Sequence, residues 1–333
     1  MKKVALIACS NGYGHIRRLL LLSQEIELYN GVQTTIFAPA KVAYRLVCKL
    51  KIHTPKLVDF NTETSQSNWI SGSSKNWYKS LPDLKSYDVV ISDNLIEILH
   101  VRPDAWISGS FFWHESLKKF PQKQKNESRD LLNKYKPRMV SSKLFSSSYL
   151  AQYTNLYEVG LFSNCIDSKI GFNQTKDILI ATGKGGEVEG AAKVFINSLV
   201  HLKNRAFDKV WMEPTLLPDK HPKWMIKATF TTEMYRRVSV AIIRPGVGTV
   251  TDSLINKVKI FPFYEKSNNE MIRNVDLLYS NGYSGFTSNI IDAWNDAISY
   301  LSDDYSQEKY IDNIKNLNIS GGKEFAKIVL SSI

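Results

Sequence analysis

Two glycine-rich turns carry the residues best suited to chemistry. Arg244-Pro245-Gly246-Val247-Gly248-Thr249-Val250-Thr251-Asp252 follows the apolar run Val238 to Ile243 and leads into a segment of helical period. A buried strand that passes through small residues into a helix aims backbone N–H groups and the positive end of a helix dipole at an anion, so this turn is suited to hold phosphate. Gly12-Tyr13-Gly14-His15 follows the first apolar run of the chain in the same manner. His15 is the candidate general base there, because an imidazole takes a proton from a hydroxyl near neutral pH; the competing role is a cap on the helix that it opens. Asp93, after the run Val89–Ser92, is placed to orient that imidazole and stabilise its charged form, or else to cap a helix over Leu95–Leu99. Gly109-Ser110-Phe111-Phe112-Trp113-His114-Glu115 sets aromatic faces beside polar groups at a strand end, which suits an acceptor pocket or a buried aromatic cluster. His114 is thereby a second candidate base and Glu115 a second candidate for the role of Asp93. Gly183-Lys184-Gly185-Gly186 is a third turn, where phosphate binding and a plain sharp reversal are both open.

Several common chemistries are excluded by spacing. Gly12-Tyr13-Gly14 lacks the third glycine of a dinucleotide fingerprint, and Phe37-Ala38-Pro39 offers no acidic residue to a ribose at the end of the second strand. No Walker lysine follows any of the turns. Cys9, Cys48 and Cys165 lie far apart and match no metal or redox motif, so a reduced cytoplasmic setting is expected and no metal is called.

The elements that must position these residues follow from hydrophobic period. Short apolar runs alternate with helical segments, the pattern of a parallel α/β sheet. In the first half the pattern predicts strands at Lys3–Cys9, Thr34–Ala38, Val89–Ser92, Ala105–Ser108, Met139–Ser141 and Leu144–Ser146, with helices at His15–Tyr29, Ala40–Lys49, Trp77–Leu84 and Pro121–Lys134. The second half starts afresh with a strand at Asp177–Ala181 and a helix from Glu187 to about Lys203. Strands at Lys209–Met212, Met225–Ala228, Val238–Ile243 and Lys259–Phe263 then alternate with helices at Thr232–Arg237, Gly248–Asn256, Glu270–Asn281 and Ile290–Leu301. The expectation is two doubly wound, Rossmann-like domains, residues 1–162 and 175–333, facing across a cleft. A linker over about 163–174 would join them, and the last helix is a candidate to pack back on the N-terminal domain. In open parallel sheets ligands sit beyond the C-terminal ends of the strands, where all three glycine turns fall.

At 333 residues with 43% apolar content, the chain can bury a core in each domain. No apolar stretch approaches the length that spans a bilayer. Its net charge of +11 is concentrated in the first 165 residues, with 22 Lys and Arg against 13 Asp and Glu. Lys118, Lys119, Lys123, Lys125, Arg129, Lys134, Lys136, Arg138 and Lys143 hold much of the excess. Such a run is a solvated helical face or a surface for anionic lipid headgroups, and charge alone does not choose between them. A cytoplasmic protein is expected, with peripheral attachment to the inner face of the membrane open.

Arg244, Gly246, Thr249 and Asp252, then Pro262, then Glu270 and Asn274 ahead of Gly282, resemble the donor site of GT-B glycosyltransferases. The likeness is to the family 28-like group that includes the lipid II-forming N-acetylglucosaminyltransferase. Gly12-Tyr13-Gly14-His15-x-x-Arg18 resembles that group's N-terminal loop, and Ser92-Asp93 an aspartate of its bacterial members. The resemblance implies that Asp252, where the family usually has Glu, binds the donor ribose. It implies that Gly246, Val247, Gly248 and Thr249 hold the diphosphate, while Glu270 meets sugar hydroxyls and Asn274 belongs to the donor side, where the glycine turns at Gly14, Gly183 and Gly185 are also expected. Arg18, Phe112, Trp113 and Glu115 are the acceptor-side candidates, and Arg244 either neutralises phosphate or braces its loop through backbone carbonyls. Met271 stands where the family often has glutamine, so the donor sugar does not carry over. The implied activity is inverting, metal-independent transfer from a nucleotide-sugar, foremost a UDP-sugar, to a glycan or lipid-linked hydroxyl in bacterial cell-surface polysaccharide synthesis. No cofactor and no nucleic acid partner are called. The alternatives are a nucleotide-sugar hydrolase of the nonulosonic acid synthesis type and a non-catalytic glycan-binding module.

Overall fold

A computed structural model describes residues 1–63, 73–117, 119–164, 175–183 and 188–332. Lys118, Cys165, Gly185 and residues 165–174 of the expected linker lie outside the described residues. The chain divides into two units, Met1–Asn164 with Asn318–Ile333, and Cys165–Leu317.

Unit 1 opens with β1 (Lys2–Ile7), α1 (Tyr13–Glu27), β2 (Val32–Ala38), α2 (Ala40–Leu50) and β3 (Lys56–Asp59). It continues through β4 (Val89–Asp93), β5 (Trp106–Ser108), α3 (Trp113–Ser116), α4 (Gln122–Tyr135), β6 (Arg138–Ser142), α5 (Leu150–Tyr153) and β7 (Asn155–Val159). The seven strands form one sheet in the order β3-β2-β1-β4-β5-β6-β7, parallel throughout. Val4 to Cys9 are wholly buried on both faces of the sheet, as a central parallel strand requires. On α1 the residues Ile16, Leu19, Leu20, Leu22 and Ile26 recur at helical spacing and bury against β1 and β2.

Unit 2 carries β8 (Asp177–Ala181), α6 (Glu189–Leu199), β9 (Val210–Met212), β10 (Met225–Lys227), α7 (Thr232–Tyr235) and β11 (Val238–Ile243). After these come α8 (Val247–Ile255), β12 (Lys259–Pro262), α9 (Asn269–Ser280), α10 (Ile290–Tyr300) and α11 (Asp304–Ile314). Its parallel sheet runs β10-β9-β8-β11-β12. One face packs Ile178, Ile180, Val240 and Ile242 against Ile196 of α6 and Trp294 of α10. The last helix, α12 (Gly321–Leu330), belongs to unit 1 and packs on α1. Among the described residues no helix is long and apolar enough to cross a membrane.

Three local expectations need correction, and two strands were not expected. Leu144–Ser146 is no strand; Lys143–Phe145 is a 3-10 turn that drops Phe145 into the core. Trp77–Leu84 and Leu95–Leu99 are not α-helical, and the chain forms 3-10 turns over Ser73–Ser80 and Ile96–His100. The strands β3 and β7 lie at the two edges of the sheet, where exposed residues dilute the apolar pattern that betrays a central strand.

Candidate active site

The sheet order of unit 1 reverses at β1, which has β2 on one side and β4 on the other. At such a switch point the loops leaving neighbouring strands diverge and leave room for a ligand. The loop after β1 turns through Gly12, whose φ of 98° belongs to the region glycine enters freely, and α1 starts at Tyr13. Gly12 is the N-cap and no side chain caps this helix, so His15 does not serve as a cap. Its Nδ1 lies 2.7 Å from Oδ1 of Asp93, the last residue of β4. Arg18, one helical turn beyond His15, donates from Nε to Oδ2 at 2.6 Å and from Nη2 to Oδ1 at 2.9 Å. Ser108, the register partner of Asp93 on β5, donates from Oγ to Oδ2 at 2.9 Å.

Asp93 is fully buried. Burial alone would push its carboxyl up, but the Arg18 charge and the His15 hydrogen bond outweigh it and hold the group below the usual carboxylate range. The carboxylate is therefore ionised at neutral pH and can only accept. His15 must donate from Nδ1, which leaves the Nε2 lone pair as its basic atom. Neither oxygen of Asp93 caps the 3-10 turn over Ile96–His100, whose N-cap is Leu95. Arg18, expected on the acceptor side, is committed to Asp93.

The aromatic segment after β5 divides. Trp113 lies beside the dyad, its ring centroid 6.0 Å from that of His15. With the Asn94 amide oxygen turned towards it, its indole N–H donates to Oδ1 at 3.2 Å. Phe112 and His114 instead turn into the core, where they stack with centroids 5.5 Å apart and planes within 10°. Burial lowers His114 to about 4, with help from the charges of Arg129 and Lys125 against the pull of Glu115. The ring is neutral at pH 7, and at 3.7 Å from Glu115 its Nε2 makes neither an ion pair nor a hydrogen bond. Glu115 is held by Arg129 at 2.7 Å and Lys125 at 3.0 Å. Phe112 is thus no acceptor wall, His114 has no surface on which to meet a substrate, and Glu115 does not take the place of Asp93.

In unit 2 the order reverses between β8 and β11, and the loop after β11 enters α8. Gly246 is the N-cap and no side chain caps this helix. The N–H groups of Val247, Gly248 and Thr249 consequently find no acceptor in the preceding turn, the arrangement that suits an oxyanion. No atom lies within 4 Å of the point where a Cβ on Gly246 would stand. Asp252 is half-buried on the second turn of α8, and Glu270 opens α9, its N–H donating to Asn268 Oδ1 at 3.0 Å.

Three donor-side expectations change. Arg244 braces its loop through a side chain rather than backbone carbonyls, forking Glu265 with Nε at 2.9 and 3.0 Å and Nη2 at 2.6 Å from its oxygens. Burial raises the Glu265 carboxyl and the Arg244 bonds more than reverse this, so the pair is ionic. Asn274 is buried and donates to the Pro245 carbonyl at 2.9 Å, bracing the loop from within. Gly183 has its N–H taken by Glu213 at 2.9 Å, beside the N–H of Thr182 at 2.8 Å, so these two groups already hold a carboxylate. Met271 is buried in the core and unavailable to a sugar. Ser108, Asn94, Glu213 and Glu265 shape these sites with almost no sequence signal, because each meets its partner only through tertiary folding. Only the position of Ser108 at a strand end offered a clue.

No family model and no curated relative matches the sequence. Solved structures do. The glycotransferase of kitacinnamycin is 12% identical over 99% of this chain and 98% of its own, with a TM-score of 0.66. UGT89C1 of Arabidopsis thaliana complexed with UDP-L-rhamnose is 12% identical over 99% and 98%, at 0.65. MurG of Acinetobacter baumannii is 12% identical over 99% and 100%, at 0.56. The chain has the two-domain α/β fold of the GT-B glycosyltransferases.

Proposed function

We propose that the protein is an inverting glycosyltransferase that moves a sugar from a nucleotide-sugar, foremost a UDP-sugar, to a hydroxyl of a glycan or lipid-linked acceptor without a metal. The observation that carries this is the His15–Asp93 pair, a buried ionised carboxylate that fixes Nδ1 as donor and leaves Nε2 as acceptor. Nε2 takes the acceptor hydroxyl proton as its oxygen attacks the anomeric carbon from the side opposite the nucleotide. The new glycosidic bond forms as the bond to the diphosphate oxygen breaks, and the N–H groups at the start of α8 receive the developing charge. Asp252 is proposed to accept the ribose hydroxyls and Glu270 to meet the sugar. The UDP-L-rhamnose complex among the similar structures supports a nucleotide-sugar as donor.

Nucleotide release with candidate donors and acceptors tests the proposal, and absence of turnover with every UDP-, GDP-, dTDP- and CMP-sugar sinks it. His15→Ala is expected to lower kcat by roughly 100- to 10,000-fold while nucleotide affinity persists.

The acceptor is further proposed to lie at an anionic membrane surface in the cytoplasm, within cell-surface polysaccharide synthesis. Lys119, Lys123, Lys136 and Lys143 are exposed on unit 1, whereas Lys125 and Arg129 serve Glu115. Cosedimentation with phosphatidylglycerol vesicles at low salt, lost when those four lysines become glutamine, is the expected result.

A further inference from the structure

Asp93 has two oxygens with about four lone-pair sites between them, and four donors fill them. Oδ1 receives His15 Nδ1 at 2.7 Å and Arg18 Nη2 at 2.9 Å, while Oδ2 receives Arg18 Nε at 2.6 Å and Ser108 Oγ at 2.9 Å. Only Arg18 touches both oxygens. A planar guanidinium edge on both oxygens fixes the plane of a carboxylate, which a single-point contact cannot do. Arg18 is itself held, since it sits on α1 one turn from His15, so base and fork ride on the same rigid element.

We propose that Arg18 is a positioning residue for the base: by forking Asp93 it fixes the oxygen that accepts His15 Nδ1–H and so keeps Nε2 as the proton-accepting atom. This rests on His15 acting as the base. Burial opposes the ionised state of Asp93, and of the groups that outweigh it Arg18 comes first, followed by His15. Arg18 and His15 from α1 and the Ser108 hydroxyl from β5 are the groups that face the carboxylate. Without Arg18 the buried carboxylate takes up a proton at higher pH. A protonated Asp93 can donate to Nδ1 as well as accept from it, so the ring is free to exchange its two tautomers.

The test uses the full chain and the variants Arg18→Gln and Arg18→Lys. Nitrogen-15 spectra of the His15 ring, assigned by their loss in His15→Gln, are expected to show one Nδ1–H tautomer in the wild type and a mixture in Arg18→Gln. In turnover, Arg18→Gln is expected to lower kcat at least about tenfold, a share of what a positioned base contributes, with donor KM unchanged. The acid limb of its pH–rate profile moves to higher pH. Arg18→Lys keeps the charge and loses the fork, so the acid limb returns towards the wild-type position while kcat stays low. A wild-type ring spectrum with an unmoved acid limb in Arg18→Gln overturns the proposal. If Arg18→Gln does not fold, Arg18→Lys decides: a mixed ring signal with lowered kcat supports positioning, and wild-type values for both refute it. If the wild type releases no nucleotide from any donor, the transferase reading fails, and the ring spectra still decide the role of Arg18.

Discussion

Two histidines on unit 1 show how environment assigns chemistry to identical side chains. His15 keeps 12% of its side chain exposed and donates to an ionised carboxylate, whereas His114 is buried and stacked on Phe112 with its ring neutral. The sequence offered both as bases, because each stands in a turn that opens with glycine and follows a strand. Burial separates them, and burial is a property of the fold. His114 also predicts a pH dependence of stability. Its value is near the ordinary 6.5 when the chain is unfolded and about 4 when folded, so between these limits the unfolded state binds more protons. Stability from this group is fully present above 6.5 and is lost as the pH falls towards 4, by up to about 1.4 kcal/mol per pH unit. Urea midpoints measured from pH 7 to pH 4 should fall less steeply in His114→Phe than in the wild type. The same variant should keep nucleotide release, which separates it from His15→Ala. Asp93→Asn should cost about 3–5 kcal/mol in urea denaturation at pH 7, because it leaves the Arg18 charge facing a neutral amide.

At the scale of elements, both candidate sites sit where a strand delivers its chain into a helix beside a reversal of sheet order. The apolar runs of β1, β4, β8 and β11 were legible because central parallel strands are buried on both faces, and α1 and α8 because glycine turns announce them. The edge strands β3 and β7 and the short 3-10 turns were not, since exposed edges and single turns leave little periodicity to read. The bracing of α8 was equally hidden, for Arg244–Glu265 and Asn274–Pro245 join positions 21 and 29 residues apart. Gly246 gives an element-level test. Its φ of −71° suits alanine and no atom beyond its chain neighbours stands within 4 Å of the added methyl, so Gly246→Ala should cost only the N-cap preference for glycine, about 1 kcal/mol or less. A methyl group over the free N–H groups should nevertheless weaken nucleotide binding. The thermal shift produced by saturating UDP is expected to shrink while the melting temperature without nucleotide stays close to the wild type.

At the scale of the molecule, unit 1 is built from two separated stretches of sequence. Leu161 N–H donates to the Asn318 carbonyl at 2.8 Å, Gly321 N–H to the Leu161 carbonyl at 3.0 Å, and Gly160 N–H to Glu324 at 2.8 Å. Phe325 of α12 is wholly buried, edge-on to Phe162 and near Trp106. A fragment ending at Asn164 therefore leaves α1 uncovered and should unfold at lower urea than unit 1 does in the full chain, followed by Trp106 fluorescence. At Gly321 a Cβ would collide with the Gly160 carbonyl, and a backbone atom cannot step aside. Gly321→Ala should cost about 1–3 kcal/mol by the same measurement.

The sequence by itself determined the α/β class, the restart of the pattern at Asp177 and the two turns at Gly12 and Gly246, because buried strands and tight turns restrict residue type locally. It also put His15 and Asp93 forward, each as one of two readings. Tertiary structure decided that these two residues meet, that Arg18 joins them, that His114 and Phe112 belong to the core, and that Arg244 answers to Glu265. Hydrogen bonds and burial join residues remote in the chain, and neither leaves a local pattern for a sequence to display.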